Sequence, residues 1–127
     1  MKKTVPLSII HKAVCESFFI SEQDLFKKTS LSAIAGPRQW FHYFARLLTT
    51  HSLKYIGEYN SEYSQNTWSH DNVIYSDKKI KDFIEMYIDA QETKRDILYL
   101  IMQKNEQLKL TSLTYCIDYS VPVLTLN

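Results

Sequence analysis

Residues 37–59, PRQWFHYFARLLTTHSLKYIGEY, and residues 67–88, TWSHDNVIYSDKKIKDFIEMYI, are the two stretches on which the predicted fold depends. In the first, an apolar helical pattern ends at the polar junction Thr-Thr-His-Ser (residues 49–52), and a short helix follows that ends near Gly57. After a polar loop, a third helix begins with Ser-His-Asp-Asn (residues 69–72). This order predicts a helix-turn-helix, in which the last helix presents its N-terminal side chains to a groove.

The first helix of this stretch is predicted to be central to the core. Pro37 suits the first turn of a helix, and a broad apolar stripe follows it at helical spacing. The members of the stripe are Trp40, Phe41, Phe44, Leu47 and Leu48. Ser52 is expected to cap the short helix, and Gly57 is expected to allow either close packing or a tight turn.

The flanking segments are also predicted to be mostly helical. Helical spacing predicts a first helix over about residues 8–18, and the sequence SEQD at Ser21 predicts the cap of a short helix over residues 22–28 with Leu25 and Phe26 turned inward. Residues 29–36 are expected to connect this short helix to Pro37. In the helix that begins at residues 69–72, one face is predicted to be buried. That face consists of Val73, Ile80, Phe83, Ile84 and Tyr87.

The end of the chain changes character. Residues 91–110 predict another helix, whereas alternating residues after it and Pro122 predict a strand-like or irregular tail. The expected organisation is therefore a domain over residues 1–110 and an extension over residues 111–127. The fold class is all-α, with about five to six helices.

Composition limits the functional classes. The chain has 127 residues, 45% of them hydrophobic and 23% charged, which is typical of one globular domain. Cys15 and Cys116 match no metal spacing and are interpreted as reduced thiols of a cytoplasmic protein. No apolar run approaches the length of a membrane span, and no motif for a catalytic triad, a nucleotide phosphate loop or a cofactor is found. We therefore expect no enzymatic activity, no nucleotide and no membrane association.

Three motifs carry a resemblance to a known family. DLFKKTSLSAIAGPRQ (residues 24–39), LLTTHSLKYIG (residues 47–57) and SHDNVI (residues 69–74) occur in the order found in the C-terminal DNA-binding domain of the DnaA family of bacterial replication initiators. The chain resembles that domain over residues 21–84, about half its length. The resemblance implies a fold similar to the Trp repressor group, duplex DNA as the partner, and a recognition helix whose first part is residues 69–79.

The chain departs from the family pattern at its basic positions. Polar or small residues replace several family arginines in the arm that would enter the minor groove. They are Thr29, Ser30, Ser32 and Gly36. Trp68 stands where the family has an arginine before the signature, and Ser69, Asp71 and Asn72 replace the signature's aspartate and two threonines.

The residues expected to contact DNA are those that the resemblance and the chemistry of their side chains both support. They are Lys28, Arg38, Gln39, Arg46, Ser52, Lys54, Ser69, His70, Asp71, Asn72 and Lys78. Arg38 and Arg46 are eight residues apart on one helical face and suit phosphate, although they could also be ordinary solvated charges. Asn72 can pair with adenine and Asp71 can accept from cytosine. The simpler interpretation of residues 69–72 is helix capping, which does not exclude base contacts by the neighbouring side chains.

The charge balance supports an alternative function. Between Ser21 and Ala90 there are eight basic and nine acidic side chains, whereas DNA-binding domains usually carry a basic excess. A degenerate copy that serves as a protein-interaction domain is therefore the second hypothesis. A homodimer or a basic protein partner would be a third way to bind DNA with so little charge.

Overall fold

The computed structural model describes residues 5–29, 31–59 and 67–112, with side chains up to Glu106. Over these residues the chain forms five helices and no strand. They are α1 (Leu7–Phe18), α2 (Ser32–Leu48), α3 (Leu53–Glu58), α4 (His70–Met86) and α5 (Ile88–Ser112). The predicted all-α helix-turn-helix bundle is confirmed. The strand-like tail predicted after residue 110 falls mostly on residues 113–127, which lie outside the described residues.

α2 is the central helix, as predicted. It packs against α1, α3 and α4, while α5 packs against α1 and α4. Phe41 and Phe44 of α2 are fully buried among aromatic and aliphatic side chains of the other helices. Complete burial of such side chains stabilises the fold by about 1.5–3 kcal/mol each, so this aromatic core dominates the packing energy.

The two predicted serine caps are confirmed. The Ser52 hydroxyl accepts a hydrogen bond from the Tyr55 backbone N–H at 3.1 Å and begins α3. The Ser69 hydroxyl accepts from the Asn72 backbone N–H at 3.3 Å and begins α4. These bonds satisfy backbone donors that have no partner inside the helix, and they fix where each helix starts.

The predicted helix over residues 22–28 is wrong. The segment forms consecutive turns, in which Ser21 still accepts from the Asp24 N–H at 3.2 Å. Leu25 and Phe26 are both fully buried, as predicted. The backbone N–H groups of Asp24 and Lys27 donate to carbonyls three residues earlier, which is a turn pattern, and Arg38 binds the carbonyls of Lys27 and Thr29 at the end of the segment.

The predicted start of α2 at Pro37 is also wrong. α2 begins five residues earlier, at Ser32, where the N–H groups of Ile34 and Ala35 donate to the carbonyl of Leu31. Residues 32–36 are therefore helical and do not form a connecting segment. Pro37 lies inside the helix and cannot donate to the carbonyl four residues before it, but that carbonyl belongs to an exposed turn where water can replace the bond.

Three residues predicted to face the core are substantially exposed. Leu47 is 48% exposed near the end of α2, and Phe83 and Tyr87 are 37% and 53% exposed. They lie at or beyond the last two turns of their helices, where the neighbouring helices cover them only in part. Helical spacing fixes the face of a residue, but it does not tell how far along the helix its neighbour extends.

Cys15 is a buried free thiol, as predicted, and burial raises its pKa to about 12. Cys116 lies outside the described residues. None of the helices that the structure describes is long and apolar enough to cross a membrane.

Candidate nucleic-acid interface

Gly57 in α3 is in close backbone contact with Trp68, which lies just before the cap of α4. The Trp68 N–H donates to the Gly57 carbonyl at 2.7 Å, and a Cβ atom on Gly57 would overlap the Trp68 carbonyl oxygen. The predicted close packing at Gly57 is therefore confirmed. Only glycine allows this approach, so Gly57 sets the position of α4 relative to α3.

The first turn of α4 presents its polar side chains to solvent. Asp71 has a side chain that is 84% exposed, and its carboxylate lies 3.4 Å from Nε2 of His70. Asn72 is exposed as well, and its side-chain amide nitrogen lies 3.1 Å from the Ser69 hydroxyl. Ser69 thus binds both the backbone and the side chain of Asn72. This turn offers donors and acceptors of the type that read base edges.

The middle of α4 is fixed to α2 by buried polar contacts. His42 of α2 is hydrogen-bonded through Nδ1 to the Ser76 hydroxyl at 3.3 Å, and burial lowers its pKa to about 3. Asp77 is buried and lies 3.4 Å from Arg46 and 3.0 Å from Lys81. Part of the Arg46 charge is therefore neutralised inside the protein, which weakens its predicted role as a phosphate contact.

Arg38 is an internal residue. It is 7% exposed, and its guanidinium donates to the Lys27 carbonyl at 2.9 Å and to the Thr29 carbonyl at 3.2 Å. The same group lies 3.9 Å from the centre of the Trp68 ring. Burial lowers the pKa of Arg38. Both alternatives considered for it, a phosphate contact or a solvated charge, assumed exposure, and its placement leaves little of the guanidinium for a phosphate.

A cleft of about 730 Å³ lies between the N-terminal half of α2 and the outer face of α4. It is lined by Lys28, Thr29, Ser32, Ala35, Gly36, Arg38, Gln39, Trp68, Lys79 and Phe83. Three of these side chains are cations and none is acidic. The cleft therefore brings together Lys28, Arg38 and Gln39 from the predicted set.

The remaining predicted residues lie outside this cleft. Lys54 is exposed on α3, close to Ser52, whose hydroxyl accepts the cap hydrogen bond. Lys78 is exposed on α4. The sequence prediction did not include Trp68 and Lys79 among the contact residues. Lys79 could have been found from the sequence, because it is a cation directly after Lys78. Trp68 could not, because no local signal links it to Lys28, which is forty residues away.

Comparison with known proteins gives the same family. The family described as "Bacterial dnaA protein helix-turn-helix" matches residues 7–80, more than half of the chain. The chromosomal replication initiator protein DnaA of Methylacidiphilum infernorum is 40% identical over 80 residues, which cover 63% of this chain and 18% of the relative. The DnaA of Anaplasma marginale is 36% identical over 83 residues, covering 65% and 17%. The DnaA of Desulfatibacillum aliphaticivorans is 37% identical over 62 residues, covering 49% and 14%. The chain thus spans less than a fifth of the length of these relatives.

Proposed function

Because the chain belongs to the helix-turn-helix family of bacterial DnaA proteins, a non-catalytic DNA-binding fold, we propose that it binds duplex DNA with the first turn of α4 in the major groove. The observation that carries this proposal is the exposed turn at residues 69–72, which is capped by Ser69 and held close to α3 by the Gly57 contact. A reading edge needs polar side chains on a rigid support, and this turn has both.

Base contacts come from His70, Asp71 and Asn72. Asn72 can form a two-bond pair with adenine, and Asp71 can accept only, which favours the amino group of cytosine or adenine. Asp71 is repelled by phosphate, so its position is best suited to a base edge away from the backbone. The positive end of the α4 dipole partly offsets this repulsion.

Phosphate contacts come from the exposed lysines Lys28, Lys54 and Lys78, with Gln39 as a neutral donor in the cleft. Each phosphate that is neutralised contributes about 0.9 to the salt slope of binding. Three lysine contacts predict a slope of about −2.7, so that affinity falls about 40-fold between about 50 and 200 mM salt.

The test is a fluorescence-anisotropy titration of a labelled random-sequence duplex over this range of salt. Lys54→Met and Lys78→Met are each expected to lower the slope by about 0.9. Lys12→Met is the matched control, because Lys12 carries the same charge on α1 and pairs there with Glu22 at 3.4 Å. Absence of wild-type binding at the lowest salt would refute the proposal, as would equal slopes for all three variants.

A specific observation also supports the protein-interaction alternative. Large apolar side chains are exposed around the junction of α4 and α5, namely Phe83, Met86, Tyr87 and Ile88. Exposed apolar patches often mark interaction sites. Analytical ultracentrifugation tests this alternative by measuring whether the chain forms a concentration-dependent dimer. A dimer that is lost in Met86→Ser and in Ile88→Ser, together with no DNA binding in the anisotropy titration, would favour it.

A further inference from the structure

Lys28 is held at both its backbone and its side chain. Arg38 donates to the carbonyls of Lys27 and Thr29, the residues immediately before and after Lys28. The Lys28 ammonium lies 4.2 Å from the centre of the Trp68 ring, over its face. A lysine on an irregular segment would otherwise sample many rotamers, so this degree of restraint is unusual.

Trp68 is the residue on which these contacts converge. The Arg38 guanidinium lies over the same ring at 3.9 Å, and the Trp68 backbone is fixed to Gly57. Trp68 therefore joins three parts of the chain: the segment at residues 27–29, α2, and the start of α4. Its position just before the cap of α4 ties the location of Lys28 to the location of the recognition helix.

We propose that Trp68 is a positioning residue that fixes the Lys28 ammonium at the mouth of the cleft for contact with a DNA phosphate. This inference rests on the proposed function. Lys28 is exposed while it lies over the ring, so the ammonium can contact a phosphate without leaving Trp68. Restraint before binding reduces the conformational entropy that the contact loses on association.

The alternative role for Trp68 is ordinary packing, since its ring is partly buried against the core. The two roles differ in one measurable respect. A packing residue affects DNA affinity through the whole fold, and its effect is the same whether or not Lys28 is present. A positioning residue acts through Lys28, and its effect disappears when Lys28 is removed.

The experiment is a double-mutant cycle on the full chain, with affinities for the random-sequence duplex measured at low salt. Trp68→Leu is expected to weaken binding about two- to fivefold, the range of an exposed cation–π contact. In the Lys28→Met background the same substitution is expected to have no further effect. Trp68→Phe keeps an aromatic face and is expected to restore most of the affinity.

Melting temperatures of all variants are measured in parallel, and the binding experiments are carried out where each variant is folded. Equal losses from Trp68→Leu in both backgrounds would overturn the inference while leaving DNA binding intact. The inference would also fail if Trp68→Phe bound as weakly as Trp68→Leu. A wild-type chain that does not bind duplex DNA would overturn the proposed function and this inference together. The two outcomes above overturn only the inference, so the two kinds of failure can be told apart.

Discussion

Replacing Gly57 by alanine tests whether the α3–α4 connection depends on close backbone contact. The new Cβ would overlap the Trp68 carbonyl oxygen and would lie 3.1 Å from the Trp68 carbonyl carbon and 3.3 Å from the Ser69 oxygen. These are backbone atoms, so they cannot move aside by changing a rotamer. Overpacking of this kind costs about 1–3 kcal/mol. Displacing Trp68 also weakens its hydrogen bond to Gly57, at about 1 kcal/mol.

An opposing term is the better helix propensity of alanine, about 1 kcal/mol. The net expectation for Gly57→Ala is a loss of about 2 kcal/mol, or a melting temperature lower by about 8 °C for a chain of this size. Gly36→Ala is the matched control. Gly36 lies within α2, and apart from its chain neighbours and its own helix a Cβ there meets nothing within 4 Å, so this variant avoids the overpacking. Its gain in helix propensity is offset because the residue before a proline disfavours the helical region, so its expected change in the free energy of unfolding is less than about 1 kcal/mol. Urea and thermal unfolding measure both variants. A Gly57→Ala variant as stable as the wild type, or as stable as Gly36→Ala, would refute the reasoning.

Three further predictions concern stability and reactivity. Burial lowers the pKa of His42 from 6.5 to about 3 in the folded chain. Neutral His42 therefore costs no stability above about pH 6.5, and the free energy of unfolding falls by about 1.4 kcal/mol per pH unit as the pH decreases from there toward 3. Urea unfolding at several pH values should therefore show a weaker pH dependence in His42→Gln, and equal dependence would contradict the assignment. With Cys116→Ser as background, burial of Cys15 and its raised pKa predict slow thiol labelling by a disulfide reagent in the native state and fast labelling in denaturant; fast native labelling would be inconsistent with burial. Ser52→Ala and Ser69→Ala should each lower the free energy of unfolding by about 1 kcal/mol in urea titrations, and an unchanged midpoint would show that the caps do not contribute.

Much of the fold could be predicted because its signals are local. α1, α4 and α5 follow from helical spacing, and the caps at Ser52 and Ser69 need only a hydroxyl and a backbone N–H three residues away. The motifs around residues 47–57 and 69–74 keep the order that the family requires.

The errors arise where distant residues compete with local preference. Residues 22–28 carry a good capping signature, but they form turns, and the end of the segment is held by Arg38, which donates to the carbonyls of Lys27 and Thr29, eleven and nine residues from it. Pro37 fits a first helical turn, yet α2 begins five residues before it, where the N–H groups of Ile34 and Ala35 donate to the Leu31 carbonyl and the exposed surface tolerates the lost hydrogen bond. A prediction from neighbours alone could not weigh either effect.

The sequence by itself therefore determined the helix-turn-helix plan and the chemical types at the start of α4, because spacing and capping are properties of adjacent residues. Only the tertiary structure decided which charges remain available. It buries Arg38, pairs Arg46 with the buried Asp77, and places Lys28 over Trp68. The physical reason is that the availability of a charge depends on its nearest partners in space, and here those partners lie between nine and forty residues away.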